Sequence, residues 1–281
     1  MPIAFEQVSF SYDGEHDALE DIDLVVDDGE FLGVIGHTGS GKSTLVQLMN
    51  ALLVPTAGRV LVDGMDTRER KLRRKVRTTV GLAFQYPETQ LFANTVADDV
   101  AFGPRNLELS DDEVNRRVRE ALERVGMDYA EVAQRSPFDL SGGQQRRVAL
   151  AGILAMEPRV LVLDEPAAGM DPATVSEIRA YLRELNDQGL TIVLVSHSMD
   201  DVAELCSRII VLDHGTLHMQ GTPVELFTAQ NAAELRRINL GVPRATKFAL
   251  ELAERGLEMP DPILDERQLV EVLIALREKM G

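Results

Sequence analysis

The stretch "GHTGSGKST", Gly36 to Thr44, narrows most what this chain can fold into. It has the spacing Gly-x-x-x-x-Gly-Lys-Ser, with the apolar run "FLGVI" (31–35) before it and "STLVQLMNALL" after it. A buried strand that feeds a glycine-rich turn and then a helix gathers backbone amides around an anion. In such a P-loop, Gly36, His37, Thr38, Gly39, Ser40, Gly41 and Thr44 line the phosphate cradle. Lys42 reaches the β- and γ-phosphates, and the Ser43 hydroxyl is placed for Mg²⁺. The bland alternative is a plain strand-to-helix turn; the flanking strand and helix favour nucleotide.

Further strand-like runs recur at "VGLAF" (80–84), "VLVL" (160–163) and "IVLV" (192–195). Continuous apolar runs of this length read as strands buried on both faces. Helical patterns lie between them. "DPATVSEIRAYLRELNDQG" carries Asp171 as N-cap, Pro172 at the first helical position and Gly189 past the end. Alternating strands and helices predict an α/β core with a mainly parallel sheet. The strand signal vanishes from about 88 to 158, which predicts a helical insertion, with "SDDE" (110–113) as a capping box. "RIIVLDHGTLHMQG" (208–221) reads as a hairpin turning near Asp213–Gly215, and 222–281 as a helical C-terminal extension beginning at "TPVE".

"VLVLDE" ends a buried strand in two carboxylates, at the end of the sheet where open α/β folds bind ligands. Beside a P-loop, Asp164 helps to hold Mg²⁺, and Glu165, one residue on, polarises the attacking water as general base.

The balance of 29 basic and 46 acidic residues gives a net charge of -17, a poor general partner for nucleic acid. The basic run "RERKLRRKVR" (68–77) lacks interleaved aromatics and reads as a solvated helix face. The single cysteine, Cys206, excludes an internal disulfide framework and reads as a packing residue. The N-terminus lacks the pattern of a signal peptide, and no apolar run approaches the ~18 residues of a membrane span.

A second glycine-rich stretch, "LSGGQ" (Leu140 to Gln144), precedes "VLVLDEP". With the P-loop, this order resembles the ATPases of ATP-binding-cassette (ABC) transporters over most of the chain. The resemblance implies the P-loop NTPase cassette fold, with an antiparallel β subdomain, the helical insertion (about 88–158) within a cassette domain of 1–221, and the extension 222–281 available for dimerisation. It implies that ATP and Mg²⁺ are the ligands and that Tyr12 stacks on adenine. Gln85 joins Ser43 and Asp164 at Mg²⁺ and shares the chemistry with Glu165 and the switch histidine His197. Asp171 is the D-loop aspartate. In this family two cassettes meet head to tail, so Ser141, Gly142, Gly143 and Gln144 face the nucleotide of a second ABC ATPase subunit. Soluble cassette proteins of DNA repair or translation typically carry tandem cassettes, long coiled coils or metal-binding cysteines; this chain has one P-loop, one signature and one cysteine.

"FQYPETQLFANTVADDVAFGPRN" (84–106) resembles the ATPases of energy-coupling factor (ECF) transporters, most closely their A-prime type. That implies a membrane T component and a substrate-binding S component as partners, uptake of a vitamin or a cobalt or nickel ion, and a peripheral place on the cytoplasmic face of the cell membrane. Leu91 and Phe92, if exposed, suit a groove for a partner helix; otherwise they pack under the insertion. "EPAAGMDPATVSE" departs from the commoner A-prime wording and leaves Asp171 in place.

Overall fold

The computed structural model describes residues 2–280. The chain runs β1 (Ile3–Ser11), β2 (Asp17–Val26), β3 (Phe31–Gly36), α1 (Lys42–Met49), β4 (Ala57–Val62), β5 (Met65–Asp66), α2 (Arg73–Thr79) and β6 (Val80–Ala83). Four helices follow: α3 (Val96–Arg105), α4 (Asp111–Arg124), α5 (Tyr129–Val132) and α6 (Gly142–Leu154). Then come β7 (Val160–Asp164), α7 (Pro172–Asp187), β8 (Thr191–Val195), α8 (Met199–Leu205), β9 (Arg208–Asp213) and β10 (Thr216–Gly221). The chain ends in α9 (Pro223–Leu226), α10 (Ala229–Arg237), α11 (Arg244–Glu254) and α12 (Glu266–Met280).

Two sheets organise these elements. The smaller is antiparallel, in the order β2-β1-β4-β5; β2 alternates buried and exposed positions along most of its length, as a half-covered strand must. The larger runs β10-β9-β3-β8-β7-β6. Every pairing from β9 across to β6 is parallel, and only the edge hairpin partner β10 is antiparallel. Every residue of β3 and β8 is buried, which the unbroken apolar runs anticipate. One core lies between the sheets, where Leu45, Leu48 and Met49 of α1 meet Phe5, Ile22 and Val60. The second lies on the opposite face, under α3, α4 and α6. Cys206 is buried in it: a Cβ on Gly33 would stand 3.0 Å from its Sγ, so the glycine lets the end of α8 close onto β3.

Several expectations change in detail. The helix after the P-loop stops at Met49 rather than running through Leu53, because Ala51 takes a left-handed φ of 55° and Asn50 donates its side-chain amide to the Val80 carbonyl. Ser110 caps α4, but the capping box is half formed: Glu113 turns its carboxylate to Arg116 and Arg117 instead of back to the cap. Only 73–77 of the basic run is helical, and its arginines are tied down: Arg73 donates to the Thr67 carbonyl, Arg77 to Ala51, and Arg74 to Asn106. Leu91 is buried against the insertion and only Phe92 is exposed, so the pair does not form one docking surface.

The C-terminal helices divide between two environments. Leu226, Phe227, Leu235, Ile238 and Leu240 belong to the core beneath the parallel sheet, whereas Ala245, Ala249 and Ile263 form a small cluster with Leu269 and Val272 of α12. A reciprocal capping box between Thr222 and Glu225 fixes the entry to this region. Phe227 has no exposed surface. Phe227→Ala will therefore cost about 3–5 kcal/mol in denaturant unfolding; a cost below about 1 kcal/mol would show that 222–240 packs only on itself.

Candidate functional site

Three adjacent parallel strands, β3, β8 and β7, end on the same side of the sheet, and each delivers a piece of the site. β3 runs directly into the P-loop. A Cβ on Gly36 would lie 2.3 Å from Ser40 Oγ and 2.5 Å from the Leu212 carbonyl, so only glycine lets the loop fold this tightly. Gly41 turns the chain into α1 with φ 102° and supplies no side-chain cap. The amides of the first turn are thereby left for a ligand. Ser40 is fully buried, and its hydroxyl finds no partner among the described residues.

Lys42 is buried, and its Nζ donates to the carbonyls of Gly36 (2.6 Å) and His37 (2.9 Å). Burial holds this ammonium below its usual pKa, and the nearby Glu165 and Asp164 partly offset that shift. From β7, Asp164 Oδ2 accepts a 3.4 Å hydrogen bond from Ser43. Burial raises the Asp164 carboxyl, against the pull of Ser43, Lys42 and His197. Glu165 follows with a left-handed φ of 53° while its N–H donates to Val195 of β8 (3.0 Å). Burial first, and the Asp164 charge second, push its carboxyl up to about 7. Its Oε1 is buried and has no hydrogen-bond partner among the described residues, and His197 Nε2, delivered just past β8, stands 3.6 Å away. His197 is half exposed; its partial burial, and then Lys42, hold the imidazole below its ordinary value.

Tyr12 is 65% exposed and donates to or accepts from Thr44 Oγ1 at 3.1 Å, so its ring stands over the start of α1, edge-on to Phe10. Gln85 is exposed just beyond β6, one strand outside β7. Asp171 caps α7: Oδ1 accepts from the amides of Ala173 and Thr174, and Oδ2 from the Thr174 hydroxyl at 2.6 Å. Those bonds, Thr174's hydroxyl foremost, hold its pKa low. Ser141 caps α6 in a reciprocal box with Gln144, and Gly142 and Gly143 open the helix. The signature thus sits on the helical insertion, on an element separate from the P-loop.

The fold therefore gathers Lys42, Ser43, Asp164, Glu165 and His197 and leaves the signature apart. The donor set suits a magnesium nucleotide: a hydroxyl and a carboxylate in contact, uncapped helix amides, and a buried orphan hydroxyl in the cradle. Sequence reasoning gave no role to Arg146. It is buried on α6, donates to the Ala168 carbonyl (3.2 Å) and lies 3.7 Å from Glu88, so it ties the signature helix to the loop after Glu165. Its position in "GGQQRR", two residues past the signature, is the only sequence signal for it.

The ABC transporter family profile matches residues 19–168. The energy-coupling factor transporter ATP-binding protein EcfA2 of Symbiobacterium thermophilum is 58% identical over 94% of this chain and 92% of its own length. This chain belongs to the ECF transporter ATP-binding proteins of the ABC family. The cassette is also similar to cbiO1 of Clostridium perfringens, part of the ABC transporter complex cbiONQ, at 39% identity and TM-score 0.75, covering 85% of this chain and 94% of that one. A dimeric ATP-binding cassette in a post-hydrolysis state with ADP and Pi is similar at 30% identity and TM-score 0.69, covering 78% and 98%. No helix among the described residues of this cassette is long and apolar enough to cross a membrane.

The shift at Glu165 fixes a pH signature. Its folded value near 7 lies above the 4.5 of an ordinary glutamate, so the folded protein holds this proton more tightly than the unfolded chain. The associated stability is present at low pH and is lost as pH rises through about 7. Glu165→Gln removes that loss. At pH 8 it will melt roughly 2–4 °C above wild type, on the order of 1 kcal/mol after solvent screening, and the gap will narrow toward pH 5. A variant that melts lower than wild type at pH 8 would contradict the assignment.

Proposed function

We propose that this cassette is the ATP-binding and ATP-hydrolysing subunit of an ECF transporter, and that it powers uptake of a vitamin or transition-metal ion from the cytoplasmic face of the cell membrane. The observation that carries the catalytic part is Glu165: a largely buried carboxylate with an unpartnered oxygen and a pKa near 7, beside the P-loop lysine. In this reading Tyr12 stacks on adenine and the P-loop from Gly36 to Thr44 wraps the phosphates. Lys42 moves from its loop carbonyls to the β- and γ-phosphates. Ser43, Asp164 and Gln85 hold Mg²⁺, which when bound neutralises charge on those phosphates. Glu165 takes the proton of the attacking water, and its pKa near neutrality suits a group that must accept and then release one. His197 contacts the γ-phosphate, and its lowered pKa keeps it neutral and able to donate one N–H.

The second half of the site comes from another cassette. At Gly142 and Gly143 a Cβ would meet nothing within 4 Å, and neither residue has a positive φ. No contact among the described residues requires glycine there, so close approach from outside is what their smallness serves. The Ser141 hydroxyl accepts from the Gln144 amide, which leaves its own proton to donate to a phosphate. Asp171 sits at the same junction. ATP bridging two cassettes then favours the closed pair, and hydrolysis releases it. The cassette spans 1–221 and the extension 222–281 supports the dimer. Phe92 and Phe102, both exposed and edge-on at 5.0 Å, form the apolar contact for the T component, while the S component carries the substrate.

One experiment addresses both halves. Glu165→Gln will retain ATP and lose turnover by roughly 10²–10⁴-fold. In that background ATP will drive dimerisation, measured by light scattering, and adding Ser141→Arg will abolish it while ATP binding to the single chain persists. Near-wild-type turnover sinks the general-base role; normal dimers with Ser141→Arg sink the trans site.

A further inference from the structure

The strand on the other flank of the P-loop brings a second group of side chains to it. β9 lies next to β3 on the side away from β8, and its end carries Asp213 and His214 against His37 of the loop. His37 Nε2 is 3.1 Å from Asp213 Oδ1, and His214 Nε2 is 3.9 Å from the same oxygen. The three ligand atoms lie within 4.8 Å of one another.

The protons of His37 make this arrangement informative. Its Nδ1 is 2.8 Å from the Thr38 carbonyl, which can only accept, so Nδ1 carries the proton. In the neutral ring the bare lone pair is then on Nε2. That atom is buried, has no hydrogen-bond partner among the described residues, and faces a carboxylate oxygen that also has only lone pairs. Two acceptors this close need a positive centre between them: a second proton on the ring, or a metal ion. A proton would be shared by His37 and Asp213 alone, whereas a metal ion would also engage the exposed His214, whose ring packs 4.8 Å from that of His37 and whose Nε2 lies 3.9 Å from the same oxygen. Two imidazoles and one carboxylate are the donor set of zinc, cobalt and nickel rather than magnesium. An Nδ1–H bonded to a backbone carbonyl is the usual outer support of a metal-bound histidine. Ligands held about 2.0–2.1 Å from one ion lie roughly 3–3.5 Å apart, which the 3.1 Å between His37 and Asp213 matches; His214, at 3.9 Å and exposed, would swing inward to complete the set. A cleft of about 320 Å³, also lined by Arg237 and Asn239, opens onto the cluster. Arg237, the cation that could compete, bonds Glu234 at 2.7 and 3.0 Å.

We propose that His37, Asp213 and His214 bind one divalent transition-metal ion, with the remaining positions open to the cleft. The ion clamps the P-loop to the β9–β10 turn, which already touches it through the Gly215 amide and the Ser40 carbonyl (3.1 Å). His37 also presents its carbonyl to Lys42, so occupancy is transmitted to the lysine of the nucleotide cradle.

The test is titration of the full tag-free chain, without nucleotide or magnesium, with Co²⁺, followed by its visible ligand-field absorption. One saturating 1:1 event is expected. Asp213→Asn and His214→Asn will each weaken it at least about tenfold; asparagine tolerates the left-handed φ of 45° at 214, so that variant keeps the fold and melts with wild type when metal-free. Glu165→Gln, which removes the carboxylate beside His197, will leave the absorption unchanged. Absence of a saturable band, wild-type affinity in the variants at 213 and 214, or loss of the band only in Glu165→Gln would overturn the site.

Discussion

Lys42 is the constraint around which the rest is arranged. Its ammonium is buried, and a buried charge is tolerated only where it is bonded and paired. Two P-loop carbonyls take its protons, and the carboxylates of Asp164 and Glu165 supply its field. That requires β3 and β7 to end level with each other, with β8 between them in parallel register. The unbroken apolar strands, the glycine at 36 and the reversal at Glu165 are each consequences of bringing one cation and two anions to the ends of buried strands.

The same arrangement leaves groups unsatisfied in a particular way. Ser40 Oγ and Glu165 Oε1 are buried without partners, and the first turn of α1 lacks a cap. Such groups are costly in a core and are usually paired. Here they stand just beyond the ends of β3 and β7, where a ligand at the P-loop would complete them. Glu165 carries the largest consequence, because desolvation and a neighbouring anion move its proton affinity into the neutral range.

Much of this was legible in the chain. Strand identities followed from runs such as "VLVL", because a strand covered on both faces cannot alternate. Asp171, Pro172 and Gly189 bracketed α7 through local capping chemistry, and the helix follows them. What the sequence hid depends on partners distant along the chain. Leu91 and Phe92 are adjacent and similar, yet one is buried and the other exposed, a choice made by the packing of α3 and α6. Glu113 could have closed a capping box, but two arginines on its own helix outcompete the cap. Arg146 had only its place beside the signature to mark it, and the cluster at His37, Asp213 and His214 carries no local signal, because β9 reaches the P-loop only through the sheet order.

The central claim is that Glu165 is a base poised near neutrality by its burial beside Asp164 and Lys42. Its side-chain carboxyl can be followed directly by ¹³C NMR, assigned by difference from Glu165→Gln. A titration midpoint near 7 is expected in the folded, nucleotide-free protein. A midpoint near 4.5, that of an unperturbed glutamate, would contradict it.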